Sequence, residues 1–239
     1  MKRTILILGL IAYILGVSVG SGLALLATWA DLEAQFYGFY RRANASLRGV
    51  SCPALMSPTE QAQVTLRLTN PTSRALSPVV RAEISTPLLP EVSLNRVDLG
   101  PGESATLTWT IGRQNIDLER FIFVSVLVYA SYPLPDRQIM CGVLIVPSPL
   151  PGRLLTPLAV LVSLVGMGIG LFVPWRQRVS WSAWRTMPAL AVVVAGAMAF
   201  SLAGAWGMGI LLLILIGLLI LITLGLILVA DLRAEAEVG

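Results

Sequence analysis

The chain has 239 residues, of which 56% are hydrophobic and only 13% charged, the balance of a membrane protein. Its net charge of +4 does not mark a nucleic-acid binder, because the polar stretch 31–152 holds ten arginines and ten acids and leaves the excess at the edges of apolar runs. Histidine is absent, which removes the commonest general base and metal ligand.

The first apolar run, 4–29, follows the basic start Met1-Lys2-Arg3. At ~1.5 Å per residue a helix here measures about 40 Å, more than a ~30 Å hydrocarbon core, so it must tilt or project. It is longer than the ~7–15 residues of a signal-peptide core, and Ala27-Thr28-Trp29-Ala30 is a poor cleavage site. The segment 1–30 is therefore read as a cytoplasmic tip and an uncleaved anchor, with a secretory signal as the alternative. A membrane-proximal collar, 31–50, carries Phe36, Tyr37, Phe39, Tyr40, Arg41 and Arg42. Either these anchor the chain in the headgroup layer or they form a contact surface for a partner protein.

Residues 51–147 read as β structure. Apolar or β-branched runs at 63–68, 79–84, 91–94, 104–111, 121–129 and 138–146 are each followed by Pro, Gly, Asn or Asp, a spacing that predicts an antiparallel sandwich. In 104–111 the alternation places Ala105, Leu107, Trp109 and Ile111 on one face and the threonines on the other. The two cysteines, Cys52 and Cys141, stand near the two ends of this segment. In an oxidising compartment they are expected to form a disulfide; two unrelated buried thiols are the alternative, and a metal site would need more ligands than they provide. The acidic loop Gln114-Asn-Ile-Asp-Leu-Glu119 reads as exposed.

The segments Val64-Thr-Leu-Arg-Leu-Thr-Asn-Pro-Thr-Ser73 and Val97-Asp-Leu-Gly-Pro-Gly-Glu-Ser-Ala-Thr-Leu-Thr-Trp109 resemble signatures of bacterial Ig-like domains of the CARDB and NEW3 type. The resemblance covers about 64–146 and none of the apolar runs. It implies an Ig-like fold used in adhesion or assembly, and it carries over no catalytic residue.

A short proline-rich linker, 148–153, leads into a second span, 154–173, and then a loop, 174–187, rich in Arg and Trp. The apolar run beyond it is too long for one helix, and Gly204-Ala-Trp-Gly-Met-Gly209 is expected to turn the chain between a third span in 188–206 and a fourth in 207–230, before the tail 231–239. Small residues at Gly16, Gly20, Gly166, Gly170, Gly196 and Gly204 suit close helix packing. Trp29 and Trp206 are expected at the outer membrane surface and Trp175, Trp181 and Trp184 at the inner one. The basic residues Lys2, Arg3, Arg176, Arg178, Arg185 and Arg233 fall on one side of four spans, which predicts cytoplasmic termini and an extracytoplasmic 31–152 in a bacterial-type plasma membrane.

No nucleophile and base can be assembled: the sole lysine, Lys2, lies across the membrane from the acids of 31–152, and no phosphate-cradling Gly-x-x-x-x-Gly-Lys occurs. None of the spans contains an ionisable side chain of the kind that marks a transport path. The expected protein is a non-enzymatic membrane protein with four transmembrane α-helices and an all-β Ig-like sandwich between the first and second. It uses no catalytic residue, cofactor or metal, and its partners are the lipid bilayer and another protein. The alternative is an accessory subunit of a membrane transport or export system.

Overall fold

The computed structural model describes residues 2–39, 43, 45–129, 135–177 and 186–238. The chain divides into two compact units, Met1–Thr28 with Pro157–Gly239, and Trp29–Thr156. Four α-helices and nine strands occur in the described residues.

The helices follow the apolar runs. They are α1 (Lys2–Phe36), α2 (Gly152–Gln177), α3 (Thr186–Leu202) and α4 (Trp206–Val238). Three helical stretches, Thr4–Phe36, Gly152–Arg176 and Trp206–Gly225, are long and apolar enough to cross a membrane. The helix α3 has 17 residues, about 25 Å at ~1.5 Å per residue, and falls short of a full span by length. Helix boundaries differ from expectation in four places. The first helix continues through the start of the collar to Phe36, α2 runs through Pro174 to Gln177, α4 begins at Trp206, one residue before the expected 207, and α4 continues beyond 230 to Val238.

Helix contacts in the first unit are backbone-close. A Cβ at Gly16 would overlap the backbone of Ser163 and Met167, one at Gly166 would overlap Ala12 and Gly16, and one at Gly170 would overlap Tyr13. Gly20 faces Ser163, Val194 and Met198, so α1 meets α2 and α3 there. Buried hydroxyls bridge helices as well: Ser163 Oγ donates to the Gly16 carbonyl at 2.8 Å, Thr28 Oγ1 and Ser201 Oγ lie 2.8 Å apart, and Tyr13 donates to the Met187 carbonyl at 2.6 Å. Thr223 bonds back to its own helix at Leu219 and lies 3.4 Å from Thr186 Oγ1 of α3. Gly196 has only an ordinary contact, 3.6 Å from Leu212. Gly204 is exposed at the end of α3. At φ +74° it ends α3, with Gly204 N–H bonded to Ser201 and Ala205 N–H to Phe200, a Schellman cap that a left-handed residue permits.

The second unit is built on β1 (Ala45–Ser46), β2 (Val50–Ser51), β3 (Leu55–Met56), β4 (Ala62–Thr69), β5 (Val79–Ile84), β6 (Glu91–Arg96), β7 (Ser104–Ile111), β8 (Phe121–Val128) and β9 (Arg137–Ile145). One sheet has the order β1-β9-β8-β5-β6, with β3 also beside β9; the other has the order β2-β4-β7. The long strands pair antiparallel, but β1 and β3 run parallel to β9, so the expectation of a purely antiparallel arrangement is corrected. These two-residue strands carry no periodic signal of their own.

The two sheets share one core. Val64 and Leu66 of β4 and Trp109 and Ile111 of β7 pack with Val80, Ala82 and Ile84 of β5 and with Ile122, Val124 and Val126 of β8. The β7 alternation holds, and Trp109 donates its indole N–H to Ser93 Oγ at 2.9 Å. Cys52, after β2, and Cys141, in β9, form a disulfide with Cα atoms 6.6 Å apart. It joins segments of different sheets and closes a loop of 89 residues, worth about 4–5 kcal/mol on the chain-entropy model.

The two sequence motifs meet at Asn70. Its amide nitrogen donates to the carbonyls of Arg74, Leu99 and Gly100, and its Oδ1 accepts from the Thr72 N–H and hydroxyl. Its backbone bonds to Glu103 and Gly102. The Asn-Pro turn is thereby fastened to the Pro-Gly-Glu turn before β7. Replacing Asn70 with Ala strips a buried hub of its partners and should cost about 2–4 kcal/mol, read as a lower denaturant midpoint with an unchanged slope.

Candidate interaction surface

The run Phe121–Val128 in β8 is buried at every position, although one face of a strand suffices for a core. A continuous apolar strand implies cover on both sides. Away from the core, Phe121 meets Trp29 edge-on at 5.4 Å between ring centroids, and Phe123 lies 4.4 Å from Tyr37. The cover is the last two turns of α1 and the segment after it.

Gly142 makes this approach possible. A Cβ at that point in β9 would overlap the Ala30 carbonyl, and the Gly142 N–H donates to Asp31 Oδ1 at 3.0 Å. Asp31 is 6% exposed. Gln35 donates to the Met140 carbonyl at 3.4 Å, and Gln138 accepts the Ala43 N–H and donates to Ser125 Oγ. At the other end of the unit, Glu60 accepts the backbone N–H groups of Gly152 and Arg153, the unpaired donors of the first turn of α2, where a carboxylate also suits the helix dipole. Gly152 too lies where a Cβ would overlap a carbonyl, that of Leu55.

The collar divides. Phe36 is 80% exposed, whereas Phe39 is buried and Tyr37 packs on Phe39 and Phe123. Tyr37 and Phe39 spend their surface inside the chain and offer little to a partner. Tyr40, Arg41 and Arg42 lie outside the described residues. Among the tryptophans, Trp29 rests on Phe121 and donates to Glu33 at 2.8 Å. Trp175 is exposed in the last turns of α2 beside Phe172, and Trp206 is half-buried at the start of α4. Trp181 and Trp184 lie outside the described residues.

Asp117 is not the free loop residue that its sequence suggests. Its carboxylate accepts the Tyr37 hydroxyl and the Leu118 N–H, and its backbone pairs with Phe121 around a tight turn. Leu118 and Glu119 adopt φ of +46° and +65° there, a left-handed pair that glycine would occupy more cheaply.

An apolar strip stands free elsewhere. The strand β6 ends its sheet, and the turn before it and its outward positions present Leu88 (92% exposed), Leu89, Val92 and Leu94 (65% exposed). Its inward positions are Ser93, which takes the Trp109 bond, and Asn95. Sequence reading missed this strip, since Val92 and Leu94 alternate like any half-buried strand. Among the described residues no group of three or more His, Cys, Asp or Glu is placed to hold a metal.

No family model matches this chain, and no curated protein does. Among solved structures, the crystal structure of the CARDB domain of the PF1109 protein from Pyrococcus furiosus is similar over 45% of this chain and 99% of that one, at 16% identity and a TM-score of 0.33. The solution structure of the same domain covers 43% of this chain and 99% of its own, at 15% identity and a TM-score of 0.33. A β-glucosidase from Listeria innocua overlaps 44% of this chain and 17% of its own, at 16% identity and a TM-score of 0.29.

Two outcomes test the α1 cover. Gly142→Ala should destabilise the β domain by about 3 kcal/mol or more, because helix backbone must move to admit the methyl, while Asp31→Ala should cost about 1–3 kcal/mol by orphaning the Gly142 N–H; chemical denaturation measures both. Burial first, and then the bond to Asp117 and its charge, push the Tyr37 phenol up to about 12. The neutral phenol therefore stabilises the fold fully below pH 10, and that contribution disappears as pH rises from 10 towards 12. Tyr37→Phe should lack this alkaline component of the stability profile and lose about 1 kcal/mol at neutral pH.

Proposed function

We propose that this chain is a non-catalytic integral membrane protein that presents an Ig-like β domain on the outer face of a bacterial-type plasma membrane, where the domain assembles with another protein. In this reading α3 serves as a fourth, short span, the termini are cytoplasmic, and the collar anchors the chain and does not dock a partner. The length of α1, α2 and α4 supports membrane insertion, and the tight cap between α3 and α4 supports a hairpin of two spans.

The observation that carries the interaction reading is the β6 edge. An end strand offers unpaired backbone donors and acceptors, and natural edges are commonly blunted by lysine, proline or cover. Within β6 there is no lysine or proline, and its outward positions Val92 and Leu94 are apolar, with Arg96 closing the strand. The partner suited to it is an extended segment with apolar side chains at alternate positions, added as a further strand.

A photo-crosslinking residue at Leu94 in intact cells should give one discrete adduct, absent when the probe is at exposed Ser73, and Val92→Lys should reduce it at least about tenfold without lowering the protein's abundance. Equal adducts at both positions, or an adduct indifferent to Val92→Lys, would overturn the reading.

A further inference from the structure

At one end of the two sheets the core opens into a cavity of about 350 Å³. Its buried lining is mostly apolar: Leu47, Leu76 and Leu99 from connecting segments and Val128 from the end of β8, with Asn70, whose amide is taken up by the turn bonds described above. Arg48 and Arg137 also line it, and among the described residues no acidic side chain does. Both side chains are exposed. Neither forms an ion pair with a carboxylate among the described residues, although residues 31–152 hold as many acids as arginines.

The backbone puts them there. Ala45 pairs with Arg137 at the start of β9, and the Leu47 N–H bonds to the Gln138 carbonyl. Two residues further on, Gly49 accepts the Arg67 N–H of β4 and, at φ +87°, lies so near the Arg67 carbonyl that no Cβ would fit. Residues 45–49 thus cross from one sheet to the other over the mouth, carrying Arg48. On β9 the core-facing positions are Ile139, Cys141, Val143 and Ile145, so alternation turns Arg137 towards the space between the sheets. Arg67 borders the cavity as well, but its position in β4 alternates with buried Val64 and Leu66 and faces outward.

We infer that this cavity is a binding site for a small amphipathic anion, a carboxylate or phosphate monoester with a short apolar body. The arginines take the anionic head, a geometry that suits bidentate hydrogen bonding, and the apolar body enters the leucine-lined interior. The volume admits roughly a dozen heavy atoms at ~30 Å³ each. The inference is independent of the β6 edge, which lies at the opposite border of its sheet from β1.

The test uses the full chain in nanodiscs of zwitterionic lipid, titrated calorimetrically with hexanoate, hexyl phosphate, hexanol and inorganic phosphate. Hexanoate or hexyl phosphate should bind at least about tenfold more tightly than hexanol and than inorganic phosphate, and Arg48→Gln with Arg137→Gln should weaken that binding at least about tenfold. The melting temperature of the unliganded double variant should stay within about 2 °C of the parent, because both side chains are exposed. A second arm compares nanodiscs with and without phosphatidylglycerol. An arginine-dependent rise in melting temperature confined to the anionic discs, with no soluble probe bound, would assign the same head-group chemistry to a lipid source. Binding of neither kind, or binding that the double variant retains, would overturn the inference.

Discussion

The close approach of helix backbone to sheet backbone at Gly142 is the constraint on which the β domain depends. With hydrogen as its side chain, this one position in β9 lets the Ala30 carbonyl sit against the strand and brings Asp31 within bonding distance of the strand's N–H. Once that contact is made, the outward faces of β8 and β9 are inside the protein, which is why Phe121, Phe123, Ser125 and Leu127 are buried on the side away from the core. The aromatic residues of the collar follow the same logic. Tyr37 and Phe39 are next in the chain after the helix and pack where Phe123 needs cover.

Polar groups made inaccessible by this double burial are satisfied locally. Ser125 is met by Gln138, Ser85 and Asn115 bond to each other, and Ser85 Oγ also accepts the Phe123 N–H. A buried donor or acceptor without a partner costs about 1–3 kcal/mol, so each of these bonds matters more by its absence than by its presence. The same holds in the helical unit, where Ser163 and the Thr28–Ser201 pair sit between helices and Gly16 and Gly166 let the backbones approach. Hydroxyls there serve the packing of helices, and a path for solute is not needed to explain them.

The β domain nonetheless leaves two regions unsatisfied by its own chain. Among the described residues, the β6 edge has exposed apolar side chains, and neither Arg48 nor Arg137 at the cavity forms an ion pair. Exposed apolar surface and neighbouring like charges are features that folding alone does not favour, and both are of the kind that binding relieves.

Local periodicity was enough to place the apolar helices and the long strands. A run of apolar residues longer than a soluble helix needs, and an alternation like that of Ser104–Ile111, each follow from the geometry of one element by itself. The spacing of two cysteines in one polar segment was likewise sufficient to expect their bond. The tertiary structure alone decided what depends on partners distant in the chain. It gave Gly142 and Gly204 different tasks, one a backbone contact and the other a left-handed cap. It drew Asp117 out of its loop onto Tyr37, and it seated two-residue strands parallel to β9. Side-chain periodicity records that a face is buried but not what buries it, because the covering residues, here Trp29 to Phe39 against Phe121 to Leu144, are about a hundred positions away.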